Sequence, residues 1–274
     1  MPDPILRLTF SQEEIALLLY LMRVPYMLGV GSNPLEGLTQ AQAVQALSSA
    51  DRSLRARGMI APKAENIVEI DPFVLGLVAP CAMPEVSILV SRSERGAPAQ
   101  VRLLHRAKGL EVEHTLPEQG LHRFEALIAP DSLHKRLASL LPSRMHEYNG
   151  QAMGSLTREQ YNRARDAVQT GEGNLTLPLF QEAGLLVEDA DLLIKTLHNP
   201  EVEVSFGFVM NISGEALTAG FTLLEGLQSL WILEDSSPES TTDITLYRVP
   251  SAAPRIRLDE YVAQINKNFM EKSV

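Results

Sequence analysis

The sequence predicts an α+β fold of two tandem, quasi-symmetric halves. Each half is a set of helices followed by a four-stranded antiparallel meander and a closing helix. Three observations predict it. Strand-like segments cluster with tight turns between them instead of alternating with helices, which argues against a doubly wound parallel sheet. The order of elements in the first half recurs in the second, and a recurring order is a sign of duplication. A chain of 274 residues with 45% apolar and 21% charged positions is able to bury a full core, as one large domain or two ordinary ones.

The first helix is expected over 11–23. Ser11 and Glu14 form a capping box, and Ile15, Leu18, Leu19 and Met22 line one face. Pro25 and glycines 29, 31 and 37 then impose a loop. A second boxed helix runs from Thr39, with Gln42, to about Arg57, burying Ala43, Val44, Leu47, Ala50 and Leu54, and Gly58 supplies its left-handed stop. Short segments at 59–60 and 67–70 precede a helix over 71–82. Strands are expected at 85–92, 99–106, 110–115 and 122–128, with a closing helix over 131–141. The polar, glycine-containing stretch Pro142–Ser155 is the linker candidate. Thr157 and Gln160 box the next helix, to about Gln169, and a helix over 189–198 follows. Strands at 202–211, 219–226, 230–234 and 243–249 and a helix over 257–269 complete the chain.

The two halves correspond piece by piece. Gly58-Met-Ile matches Gly184-Leu-Leu, and Met83-Pro-Glu-Val-Ser-Ile matches Asn199-Pro-Glu-Val-Glu-Val. Val101-Arg-Leu-Leu matches Phe221-Thr-Leu-Leu, Gly109-Leu-Glu-Val matches Ser229-Leu-Trp-Ile, and Ala129-Pro130 matches Ala253-Pro254. The expected domains are therefore 1–146 and 147–274. A four-stranded meander leaves a face and two edges to be covered, which a second copy can supply.

Composition narrows the function. With 24 basic against 34 acidic residues, the formal charge of −10 argues against a protein built to grip nucleic acid or an anionic membrane. A single cysteine excludes an internal disulfide framework and a cysteine-rich zinc site. The longest apolar runs, such as Ile15–Met22, are too short to span a bilayer. Met1-Pro-Asp-Pro has no basic region leading into an apolar stretch, so no signal peptide is expected and the chain reads as cytoplasmic.

Catalytic chemistry is not visible, and no catalytic, cofactor or metal residue is assigned. The histidines at 105, 114, 122, 134, 146 and 198 lack metal-ligand spacing. His105, His114 and His122 lie on or beside adjacent strands. They read as isolated polar residues on an exposed sheet face, with convergence at a metal the alternative. Cys81, at the end of an apolar helix, reads as a buried, inert thiol. Gly29-Val-Gly31-Ser lacks the preceding strand and the Lys of a phosphate loop and reads as a loop former. Glu111 and Glu113 alternate along a strand as a solvated pair. An enzyme is disfavoured.

A second reading is a winged-helix DNA-binding regulator built on residues 39–70. There a helix carrying Arg52, Arg55 and Arg57 leads into Gly58-Met-Ile and a hairpin-like wing. The corresponding Leu179-Phe-Gln-Glu-Ala-Gly184 of the second half has no basic residue, and the acidic balance opposes it.

Several loose hydrophobic patterns resemble the EspG family of ESX (type VII) secretion-associated proteins. They are Leu8-Thr9 and Pro25-Tyr-Met-Leu28 around the first helix, and Leu54-Arg-Ala-Arg-Gly-Met-Ile leading to Ile70-Asp-Pro-Phe-Val74. In the second half they are Asp189-Ala-Asp-Leu-Leu-Ile194 leading to Val202-Glu-Val204. The resemblance covers most of the chain. It implies two quasi-symmetric halves and a cytosolic chaperone that holds a secreted helical protein soluble until export, with no cofactor. It carries over no individual functional residue. Chaperone binding requires an exposed apolar patch rimmed by polar groups. Phe206 and Phe208, on one strand face, and Trp231, the only tryptophan, are the partner-binding candidates, with a core role as the alternative.

Overall fold

Ser11 and Thr157 each end a strand and begin a helix. Ser11 closes strand β1 (Arg7–Ser11) and caps helix α1 (Gln12–Met22), while Thr157 closes β8 (Ala152–Thr157) and caps α5 (Arg158–Gln169). In both, the hydroxyl accepts from the amide of the third helical residue and that residue's side chain returns to the cap amide, giving full capping boxes. The computed structural model describes residues 6–129, 132–142, 152–248 and most of 255–263, apart from positions 32, 65–66, 173–175, 213–214, 238–239, 256–257 and 261. The expected 146/147 boundary lies outside these residues, as does most of the expected helix over 257–269, of which Leu258, Asp259, Glu260, Val262 and Ala263 are described and helical.

By its contacts the chain divides into two compact units, Met1–Ile88 with Arg102–Leu133, and Leu89–Val101 with His134–Val274. In the first unit, α1 is followed by α2 (Gln40–Ala56), boxed by Thr39 and Gln42 as expected. A two-stranded hairpin, β2 (Ile60–Ala64) with β3 (Ile67–Ile70), leads to α3 (Pro72–Ala82), capped by Asp71. The meander strands are β4 (Val86–Glu94), of which Val86–Ile88 belong to this unit, β5 (Gln100–Ala107), which belongs to it from Arg102 on, β6 (Leu110–Thr115) and β7 (Leu121–Ala126). Their order is β1-β7-β6-β5-β4, so the first strand of the unit pairs antiparallel with the last of its meander. Strand alternation sends Phe10, Val112 and Phe124 to one face, where Ile15, Leu18, Leu54, Leu77 and Cys81 of the helices join them in the core. Only Ala50 and Leu54 of α2 are fully buried. Val44, expected in its buried stripe, is 60% exposed because the first half of α2 runs past the core.

Helix α4 (Ser132–Ala138) follows β7. The second unit holds β8, α5, α6 (Leu177–Glu182), α7 (Val187–His198), β9 (Val202–Ile212), β10 (Glu215–Glu225), β11 (Leu230–Ser237) and β12 (Ser240–Arg248). Its strand order is β9-β10-β11-β12-β8, all antiparallel, and again the strand before the boxed helix pairs with the last meander strand. Strands β1 and β8 are absent from the sequence-based reading, and β8 occupies the end of the stretch expected to be linker. One sheet face carries Leu224, Trp231, Leu233, Ile244 and Leu246, packed with Tyr161 of α5, Phe180 of α6 and Leu193 of α7. Among the described residues no helix is long and apolar enough to cross a membrane.

One ion pair ties α1 to the end of α2. Glu14 is 6% exposed, accepts from Ser11 N (3.0 Å) and Ser53 Oγ (2.7 Å), and pairs with Arg57 Nη1 at 3.0 Å. Arg57 also donates to Thr9 O (3.1 Å) and lies over the Phe10 ring, 5.4 Å from its centroid. Removing the guanidinium leaves a buried carboxylate without its countercharge. Arg57→Ala is therefore expected to cost about 2 kcal/mol, read as a lower urea midpoint with unchanged slope. Arg57→Lys recovers only part of this, because an ammonium lacks the planar fork that reaches Glu14 and Thr9 together.

Candidate functional site

The second unit carries an apolar cleft of about 260 Å³ on the helix side of its sheet. Its floor is the facing pair Gly207 and Gly220, with Leu89 and Tyr161 among its walls and Arg158 and Asp235, which form an ion pair, also lining it. Glycines are required in part by packing, since a Cβ on Gly220 would come within 2.6 Å of the Phe206 carbonyl oxygen. The hydroxyls of Ser205 and Thr222 bond each other at 2.9 Å across the strands. Burial pushes the Tyr161 hydroxyl up to about 12, so it is a neutral hydroxyl at neutral pH. These groups offer a shallow apolar surface with a charged wall, and no nucleophile beside a base.

Of the residues proposed to meet a partner, only Phe206 is among those lining the cleft, and none of the three has an exposed side chain. Phe206, Phe208 and Trp231 are 2%, 1% and 0% exposed, so the exposed-patch assignment is corrected to core. Nor do they converge. Trp231 pairs with Leu224, while Phe206 pairs with Phe221 and Val204 with Leu223, which places the phenylalanines and the tryptophan on opposite faces of the sheet. Phe206 stacks on Phe221, with ring centroids 4.8 Å apart, and Trp231 Nε1 donates to Ser229 Oγ at 3.0 Å. Strand β11 buries Leu230, Trp231, Ile232 and Leu233 in succession, so both faces of the sheet are covered there.

The arginines of the winged-helix reading are engaged within the chain. Arg57 holds Glu14, Arg55 pairs with Asp51 one turn earlier at 2.8 Å, and Arg52 donates to Ser49 Oγ at 3.0 Å. Glu113, expected to be solvated, is 3% exposed and pairs with Arg102 at 2.8 Å. Cys81 is fully buried, where desolvation raises its pKa well above the ordinary thiol value, as expected of an inert thiol.

The histidines overturn their reading most clearly. His105, His114 and His122 are 1%, 0% and 2% exposed and gather on the core face of the first unit's sheet instead of lying apart on an exposed one. Register explains it. Leu103 faces His114, which faces Phe124, while His105 faces Val112 and His122 faces Phe10, so all three share the face of the core residues Phe10, Val112 and Phe124. Among the described residues no group of three or more His, Cys, Asp or Glu side chains is arranged to hold a metal ion.

No protein-family model matches the chain, and no curated protein does. A solved structure does match. It is that of the Mycobacterium tuberculosis type VII secretion system chaperone EspG5 in complex with a PE25-PPE41 dimer. The similarity has a TM-score of 0.62 at 11% identity and covers 92% of this chain and 94% of that one. The α+β arrangement of this chain is thus an EspG-like fold.

Proposed function

We propose that the chain is a non-enzymatic, cytosolic chaperone or adaptor of EspG-like type that binds a secreted helical protein before export. The observation that carries this reading is the EspG-like fold over 92% of the chain. The acidic surface implied by a charge of −10 agrees with it. Fold likeness at this identity does not transfer a partner, so the partner is defined by its chemistry, a helical protein with an apolar stripe that is insoluble alone.

The two units read as tandem copies of one α+β design. Each opens with a strand ending in a capping-box residue, passes through helices into a meander, and returns its first strand to pair with the last. The reading is tested by co-expression of the chain with candidate exported helical proteins and analysis by size exclusion with light scattering. A stoichiometric complex that keeps the partner soluble supports it. A partner equally soluble without the chain, or a chain that binds only nucleic acid, overturns it.

A further inference from the structure

We propose that the buried histidines of the first unit form a proton-triggered latch, in which protonation of His114 and His122 unseats the turn Met27–Gly31 and opens the core face locally. The bond between them carries the argument. His114 Nε2 and His122 Nδ1 are 3.0 Å apart, so one nitrogen holds the proton and the other accepts it. Once both rings are imidazolium, every ring nitrogen is a donor, and two N–H groups face each other at that distance. The bond is then lost and two charges repel. His105 joins the group from the far side, its Nδ1 held at 2.9 Å by Ser87 Oγ and its ring stacked 6.2 Å from that of His114.

The surroundings supply no compensation. His105 Nε2, His114 Nδ1 and His122 Nε2 are buried with no hydrogen-bond partner. His114 lies against Phe124, with ring centroids 4.6 Å apart. The charged groups of the neighbouring elements point elsewhere. Alternation carries Glu111, Glu113, Arg123 and Glu125 of β6 and β7, Arg102 and Arg106 of β5, and Arg7 of β1 to the opposite face. From α1, Glu14 is bound to Arg57, Ser11 and Ser53, and α3 offers only the Cys81 thiol, bonded to Leu77 O at 3.4 Å. Glu85, just before β4, accepts from Lys108 N, and Arg23 and Glu36 of the loop are exposed.

The turn is the piece able to move. Val30 N and Gly31 N both donate to Met27 O at 3.0 Å, and Met27 is 1% exposed in the core. Gly29, at φ +85°, sits so close that a Cβ on it would fall 3.0 Å from His114 Cε1 and 2.2 Å from Leu103 Cδ1. On either side of the turn, the loop is held to α1 by Val24 N donating to Leu19 O and by Gln12 Nε2 donating to Pro34 O at 2.7 Å. Displacing this turn admits water to the imidazoles without dismantling the sheet.

Burial lowers His105 to about 4 and His114, with its two histidine neighbours, to about 3, and it lowers His122 as well. An imidazole exposed by opening returns to about 6.5. Protons therefore favour the open form. The closed latch is fully stable above pH 6.5 and is lost as pH falls from there toward 4 and below. The opening equilibrium rises by up to about tenfold per pH unit for each imidazole that titrates.

Hydrogen exchange of segment 24–38, corrected for intrinsic rates, tests this in the whole chain, with imidazole titration followed by NMR. Between pH 7.5 and 5.0 protection of this segment is expected to fall at least tenfold while that of β10 and β11 holds. His114→Phe is expected to flatten the dependence. Gly29→Ala, which leaves the histidines in place, is expected to move opening to higher pH. Unchanged protection down to pH 5.0 overturns the proposal, as do loss of protection throughout the chain at the same pH and a stoichiometric transition metal on the histidines. Should His114→Phe fail to fold, wild type and Gly29→Ala decide the matter.

Discussion

Trp231→Ala is expected to destabilise the second unit by about 4 kcal/mol, among the largest effects of any single truncation in the chain. The indole is 0% exposed and packs in the cluster that holds Leu193, Leu197, Leu224 and Leu246. Truncation removes its buried area, leaves a cavity walled by helices on one side and β-strands on the other, and takes from the Ser229 hydroxyl one of its two hydrogen bonds, the other being to Thr196 Oγ1 at 2.9 Å. Urea unfolding followed by circular dichroism measures the change. A surface hot spot behaves differently, since its truncation weakens partner binding and leaves the unfolding midpoint in place. Trp231→Phe, which keeps most of the volume, is expected to recover more than half of the loss.

Gly154→Ala is expected to cost about 3 kcal/mol through a single methyl group. A Cβ at position 154 would stand 2.3 Å from Ala183 O and 2.6 Å from Leu185 Cδ1. The nearest obstacle is backbone, in the connection between α6 and α7, and it is fixed by Ser155 N donating to that same carbonyl at 3.0 Å. The strand must retreat, and its pairing with β12 at Leu246 goes with it. Thermal unfolding measures the loss, and amide exchange at Ser155 and Leu156 locates it. Unaltered exchange there would show that the strand accommodates the methyl group and that the close approach is not structural.

The elements legible in the sequence were those with strong local chemistry. The boxes at Ser11, Thr39 and Thr157 fixed three helix starts, and the turns at Lys108-Gly109 and Pro117–Gly120 separated strands to within a few residues. Strands β1 and β8 escaped because they are five and six residues long and end on the cap itself, so their periodicity is read as the approach to a helix. Helix α6 is six residues long with a proline in its first turn, too short for any period to register. The histidines failed for a different reason. Polarity is read as exposure, and only the register with Leu103, Phe124 and Phe10 shows that they share the core face. Trp231 failed because a strand buried on both faces, as Leu230–Leu233 is, carries no alternation to separate core from surface. Phe206 and Phe208 lie on a strand that does alternate, but alternation tells which residues share a face and not whether that face is covered.

The side chains of Phe206, Phe208 and Trp231 are buried, and the cleft floored by Gly207 and Gly220 is a described apolar feature open to solvent. The central claim, that this chain keeps a helical exported protein soluble, is tested most directly by measuring the soluble fraction of such a protein expressed with and without the chain. A protein recovered in a one-to-one complex with the chain, helical by circular dichroism and insoluble when expressed alone, is the predicted result. A chain that purifies alone and leaves the solubility of every such protein unchanged would contradict it.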